Sequence, residues 1–463
     1  MTRPGADPAP SDGDLARRRR RAVILGIGVV GLLTVAGFLF WARPVAKVTE
    51  TTPVEEALAA LVAPAPAVEG LRPGPERPAG SGSAPAAATL QVCGRPPLPR
   101  PRGPEEPEWR GLAQTVLSEQ MQWTARMLAH PDARVVAAGW LQVERQGQLA
   151  LRAVHHAERA ACRADRGCAT EADARLGARL RDLAQRARDP LASLAVASGD
   201  AAIYAHAARA CAREPRVGGA CALVSTAQWT RIEPDNIEAW LQLADEAQAR
   251  NDAAAVAEAL HRAALAPRHQ THLALRFDAL QATVVADTHL ASRRLALSDL
   301  IGASLAAGRP GLSTVLAHCH RDRLADANRQ QVCHALAEAF VERGATLQEL
   351  GLGLALAGRL GWPEDRMVTL RTEERTMLAL GEAALATDQP LGCEVIERLE
   401  SQLADRSRLG ELAAARAQLA LADASARRAA LADWADRDAK AHSGAAAWSA
   451  ASAASAASGA SVR

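Results

Sequence analysis

The sequence predicts an all-α protein, stacked helical hairpins standing behind one N-terminal transmembrane helix. Three observations carry that expectation. Residues 22–42 form 21 consecutive uncharged positions that are apolar apart from glycines and Thr34. From Glu108 to about Lys440, apolar side chains recur at three- and four-residue spacing, as at Trp109, Leu112, Val116, Leu117, Met121 and Met127, and no stretch alternates as a strand would. Turn and cap residues punctuate that region at intervals of roughly 10 to 20 residues, the rhythm of short helices joined by tight turns rather than of a few long bundle helices.

The chain opens with a short polar, then basic tail, residues 1–21, ending in five arginines from Arg17 to Arg21. The apolar run that follows measures about 31 Å at ~1.5 Å per residue, close to the thickness of a bilayer's hydrocarbon core. It contains Gly26, Gly28 and Gly31 in the spacing of a dinucleotide-binding loop. A dinucleotide loop must join a strand to an amphipathic helix with a polar face, and this run has neither, so no nucleotide partner and no cofactor are expected. The five arginines before the run outnumber Arg43 and Lys47 after it, which predicts a cytoplasmic N-terminus and an uncleaved, single-pass anchor in the inner membrane.

Residues 43–107 hold fourteen prolines. That composition favours extended polyproline segments, so this stretch reads as a periplasmic spacer. The helical region, residues 108–440, is divided by breaks expected at 130–132, Gly147, 188–190, 198–200, 214–215, 233–236, Pro267, 309–311, 361–363 and 389–390. Residues 441–463, rich in serine and alanine, present no apolar face and are expected to be disordered.

About 420 residues follow the anchor, more than one compact core covers, which implies several modules or an extended array. A net charge of +2 with only 3% aromatic residues offers no basic stripe for nucleic acid. The arginine cluster beside the membrane suits lipid headgroups and topology instead. Eight cysteines beyond the membrane suggest disulfides. Spacing favours Cys162 with Cys168, Cys211 with Cys221 and Cys319 with Cys333; Cys93 and Cys393 are left either to bridge spacer and C-terminal region or to remain free.

Residues 233–267 resemble a tetratricopeptide repeat, a helical hairpin of about 34 residues. Trp240, Leu243 and Ala244 take the first three signature positions, Leu260 stands for the usual Phe, and Ala263 occupies the close-packed site. Ala247 replaces the usual Tyr, Val256 the small Ala, and Pro267 arrives one residue early. Residues 189–213 look like a degenerate hairpin of the same kind. The resemblance implies a curved array that binds protein segments through its surface.

The densest group of potential ligands is His318, Cys319, His320, Cys333 and His334. Zinc would require four of them to converge, whereas a hairpin-closing disulfide requires only the two cysteines, and the latter is preferred in an oxidising compartment. His155 with His156, and His269 with His272 on one helical face, read as surface or core histidines rather than ligands. Glu373 and Glu374 lie among arginines and read as a solvated helix face, while Trp362 reads as the anchor of a turn. No recognisable nucleophile motif is present. The expected function is therefore that of a non-catalytic envelope scaffold or adaptor whose partners are other envelope proteins or peptide segments; the rival is a metal-binding or hydrolytic enzyme using the 318–334 cluster.

Overall fold

In a computed structural model of the chain, the described residues are 89–94, 96–99, 107–162, 165–213, 216–285, a few positions between 292 and 300, 309–385 and 391–436. The basic tail, the anchor expected at 22–42, most of the spacer and the tail at 441–463 lie outside them. Among the described residues no helix is long and apolar enough to cross a membrane.

Apart from one small strand pair and isolated bridges, the regular secondary structure of the described residues is helical. The strands β1 (Thr89–Leu90) and β2 (Leu98–Pro99) pair antiparallel. Helices α1 (Pro107–Leu128), α2 (Ala133–Ala161), α3 (Arg166–Ser198), α4 (Ala201–Ala212) and α5 (Thr226–Ile232) make up the first half. Next come α6 (Ile237–Ala249), α7 (Ala253–Leu265), α8 (Ala274–Thr283) and α9 (Leu312–His318). The last are α10 (Ala327–Arg343), α11 (Leu347–Arg359), α12 (Glu364–Leu385), α13 (Cys393–Leu409), α14 (Glu411–Leu421) and α15, residues 424–436.

Most starts follow from short polar caps that satisfy the first free N–H groups. Asp132, Asp165, Asp200, Asn236, Asp252 and Asp326 each accept from a backbone N–H two or three residues on. Thr346 and Glu349 form a reciprocal capping box on α11. The α6–α7 hairpin turns through Asn251 at φ 58°, with Asp252 N donating 3.0 Å to Ala247 O.

Two expected breaks are absent. Helices α2 and α3 are 29 and 33 residues long, and each runs straight through the residue expected to stop it. At Gly147 the helix is not broken but approached: a Cβ there would lie 2.6 Å from Leu183, so glycine lets α3 press against α2. Pro190 lies inside α3. Leu183, Ala184, Ala187 and Arg188 are buried before it and Leu191, Ala192 and Ala195 after it, so packing holds both sides in one helix against the proline's local cost.

The spacer expectation also needs correction at its end. Leu90, Val92 and Cys93 are buried, Val92 bridges to Leu391, and Cys93 N donates to Leu391 O at 2.8 Å. The folded region therefore begins before residue 107.

Two hydrophobic cores form. One gathers Trp123, Leu141, Leu191, Ile203, Trp229, Phe277 and Ile396 from α1 to α5, α8 and α13. The other gathers Leu241, Leu260, Val315, Leu336, Phe340, Leu354 and Met377 from α6, α7 and α9 to α12. Helix α6 serves both, with Ala239 in the first and Ile237, Leu241 and Ala244 in the second.

All eight cysteines are paired. Cys162 joins Cys168, Cys211 joins Cys221, Cys319 joins Cys333, and Cys93 joins Cys393 across 300 residues.

Candidate functional site

Between the two cores lies a buried polar network, built where the chain leaves α7 at Pro267 and returns past the start of α6. Ile237 N donates to Arg268 O at 2.9 Å, Arg268 N to Asp235 O at 3.0 Å, and the Asn236 side chain exchanges two 3.0 Å hydrogen bonds with the Gln270 backbone. The segment 267–272 is thus held extended beside α6. It is not helical, so His269 and His272 do not share a helical face as their spacing suggested. His272 adopts φ 54°, and the turn there sends the two rings to different partners.

His272 Nε2 lies 2.9 Å from Glu233 Oε2, which also accepts from Trp229 Nε1 at 2.7 Å. Burial pushes the Glu233 carboxyl up, but the hydrogen bond and charge of His272, with Trp229 and Asn236, hold it below the ordinary value. His206 on α4 donates from Nε2 to His272 O at 2.8 Å, and burial with nearby arginines pushes this imidazole well below its usual pKa.

His269 occupies the centre. Its Nε2 lies 3.3 Å from Glu238 Oε2 and 3.4 Å from Glu349 Oε1, and all three side chains are at most 1% exposed. The other oxygen of Glu238, Oε1, lies 3.2 Å from Arg209 and 3.6 Å from Arg309. Burial raises the Glu238 carboxyl, but the His269 hydrogen bond and the two guanidiniums bring it down to about 2. Burial lowers the His269 imidazole, and Glu349 and Glu238 more than reverse this, so its pKa is raised. Arg209 also donates to Thr271 O at 2.7 Å and lies over the Trp229 ring at 5.4 Å. Among the described residues, Glu238, His269 and Glu349 are the group of three His, Cys, Asp or Glu side chains whose donor atoms converge, all within 4.8 Å of one another.

The 318–334 cluster does not assemble a metal site. Cys319 and Cys333 spend both sulfurs on each other. His318 is 7% exposed, and burial with Arg329 and Arg323 lowers its pKa to about 4. His320 faces Asp322 at 3.2 Å, and His334 Nδ1 accepts from Trp362 at 3.4 Å. Elsewhere, His155 contacts Asp173 at 2.6 Å. Glu373 is not simply solvated: it lies 2.9 Å from Arg416, which also reaches Val341 O, tying α12 and α14 to α10. Trp362 is buried, and Arg366 lies over its ring at 3.9 Å.

The residues singled out for repeat-like packing are divided. Ala244, Leu260 and Ala263 are fully buried between α6 and α7. Trp240 and Leu243 are only partly buried. Trp240 donates from its indole to Pro234 O at 2.8 Å and lines an open groove with Pro234, Asp235, Arg262, Leu265 and Pro267. Leu265 is 65% exposed at its rim.

No protein-family model, no curated protein and no solved structure matches the chain. Sequence reasoning passed over Glu238, Glu349, Arg209 and Arg309. Two signals were present: Glu349 stands three residues after Thr346 in capping-box spacing, and Glu238 lies three residues before Leu241, on the buried side of α6.

Proposed function

We propose that this chain is a membrane-anchored, periplasmic scaffold or adaptor, which holds a disulfide-stapled helical domain off the bilayer and captures a partner protein segment. The pairing of all eight cysteines carries the location, because structural disulfides persist on the oxidising side of a membrane. The apolar run at 22–42 and its basic flank support an N-in, single-pass anchor. Helical hairpins such as α6–α7, with the resemblance to a tetratricopeptide repeat, support a stacked, surface-binding architecture. The groove beside Trp240 supplies the kind of place such a partner takes: a half-exposed aromatic, an exposed leucine, two prolines, and one acidic and one basic residue at the edge.

The rival reading, a metal-binding or hydrolytic enzyme at residues 318–334, is weakened where it counts on Cys319 and Cys333 as metal ligands, since their sulfurs are bonded to each other. A photo-crosslinking residue at Leu265 of the full-length protein in its native membranes tests the adaptor reading, with Leu421, 89% exposed, as the comparison position. Adducts formed from Leu265 and absent from Leu421 are expected. Identical adducts at both, or none at either, would refute it. Protease added to spheroplasts should digest the helical domain from outside; protection there would overturn the topology.

A further inference from the structure

The convergence of Glu238, His269 and Glu349 is more than a buried salt bridge requires. A single Nε2–H makes one short, linear hydrogen bond, yet two carboxylate oxygens face it and neither comes closer than 3.3 Å. Charge-assisted hydrogen bonds of this type contract to about 2.7–2.9 Å. Separations of 3.3 and 3.4 Å match instead the edge of a tetrahedron whose ligands lie ~2.0–2.1 Å from a central ion.

We propose that Glu238, His269 and Glu349 form a buried site for a divalent transition-metal ion, zinc being the best fit to the donor set, which ties α6 to α11 and to the segment 267–272. Each carboxylate is anchored by its outer oxygen and offers the inner one. Glu349 Oε2 accepts from Ala345 N at 2.7 Å and Thr346 N at 3.1 Å. Glu238 Oε1 is held by Arg209 and Arg309. Such partners orient ligating carboxylates.

An independent sign of a missing partner is that Glu349 Oε1, on a fully buried residue, has no hydrogen-bond donor. One nitrogen and two oxygens, with a water completing the tetrahedron, suit zinc, whereas calcium and magnesium call for about six or more oxygens, more than these side chains offer. The guanidiniums of Arg209 and Arg309 oppose any cation, so binding must come from direct ligation rather than from a general negative field.

Full-length protein in detergent, stripped with a chelator, is dialysed against zinc, with magnesium in parallel. The cobalt-substituted protein is examined for the intense visible absorption of tetrahedral coordination. One zinc per chain, no magnesium uptake, a tetrahedral cobalt spectrum and a rise in thermal midpoint with zinc are expected. Glu349→Gln keeps a side chain able to complete the capping box but removes the anionic ligand, and should weaken zinc binding by about tenfold or more. Replacing both His155 and His156, whose rings lie 6.0 Å apart, should leave zinc uptake unchanged. Absence of stoichiometric zinc, an octahedral cobalt spectrum, or undiminished binding by Glu349→Gln would each overturn the site. Should Glu349→Gln fail to fold, the stoichiometry and cobalt spectrum of the unaltered protein decide.

Discussion

Arg188 and Glu144 are the clearest case of one residue depending on another. Arg188 is 1% exposed and donates to Glu144 Oε1 from Nε at 2.9 Å and from a terminal nitrogen at 2.6 Å, with Arg213 O accepting a third bond at 3.0 Å. Arg188→Met should cost about 3–5 kcal/mol, because it strands a buried carboxylate, while Glu144→Leu with Arg188→Met should recover most of the loss. Urea midpoints of the three proteins check this. Gly311 is constrained differently: it sits at φ 76°, its N–H donates to Asp245 at 2.7 Å, and a Cβ would meet Leu241 O at 2.9 Å. Gly311→Ala should therefore lose more than about 1 kcal/mol, whereas Gly381→Ala, in a helix with open space around it, should gain about 0.5–1 kcal/mol. His318 yields a pH effect of definite sign. Its folded pKa of about 4 lies below the ordinary 6.5, so the unfolded chain takes up the proton first and stability from this group falls as pH drops from 6.5 towards 4. His269, raised, contributes in the opposite sense, so the informative readout is the difference: His318→Gln should flatten the loss of stability between about pH 7 and about pH 5. If its profile matches the parent's, burial of His318 is not the cause.

At the scale of elements, chain separation ranks the disulfides. Cys162–Cys168 closes a span of 6 residues and Cys93–Cys393 one of 300. If the staples act on the unfolded chain, removing the short one should cost about 2 kcal/mol and removing the long one about 5 kcal/mol, as measured by denaturation of the paired Cys→Ala variants. Equal losses would point to native-state strain or residual structure instead. Helix ends were largely legible, because Asp132, Asp200, Asn236 and Pro267 act through local hydrogen bonds or backbone sterics that sequence displays directly. Gly147 and Pro190 were misleading for the converse reason: what keeps their helices intact is the contact of α2 with α3, and residues 36 positions apart cannot be seen touching from local pattern. Three short-range cysteine pairs followed from spacing, while Cys93–Cys393 required knowing that the proline-rich segment comes back to α13.

For the whole molecule, the helical class was readable from periodicity, but the division into two cores sharing α6 was not. Nor was the polar network between them, since His269 and Glu349 are 80 positions apart in the chain. Chain length pointed to more than one core, and two large ones form among the described residues. The network's place implies cooperation: loss of Glu238 by Glu238→Ala should loosen both cores, so hydrogen exchange is expected to quicken in α4 as well as in α11. Quickening confined to α6 would mean that the cores are independent.

The Cys93–Cys393 bond also has a mechanical consequence. A pull applied before Cys93 and resisted beyond Cys393 crosses directly into α13, and the 300-residue span between the two cysteines carries none of it. In a single-molecule stretching experiment that span is hidden length, roughly 1,000 Å of chain at ~3.5 Å per residue, released only after reduction. Oxidised, the domain behaves as a short rigid tether; reduced, the same load can unravel it helix by helix.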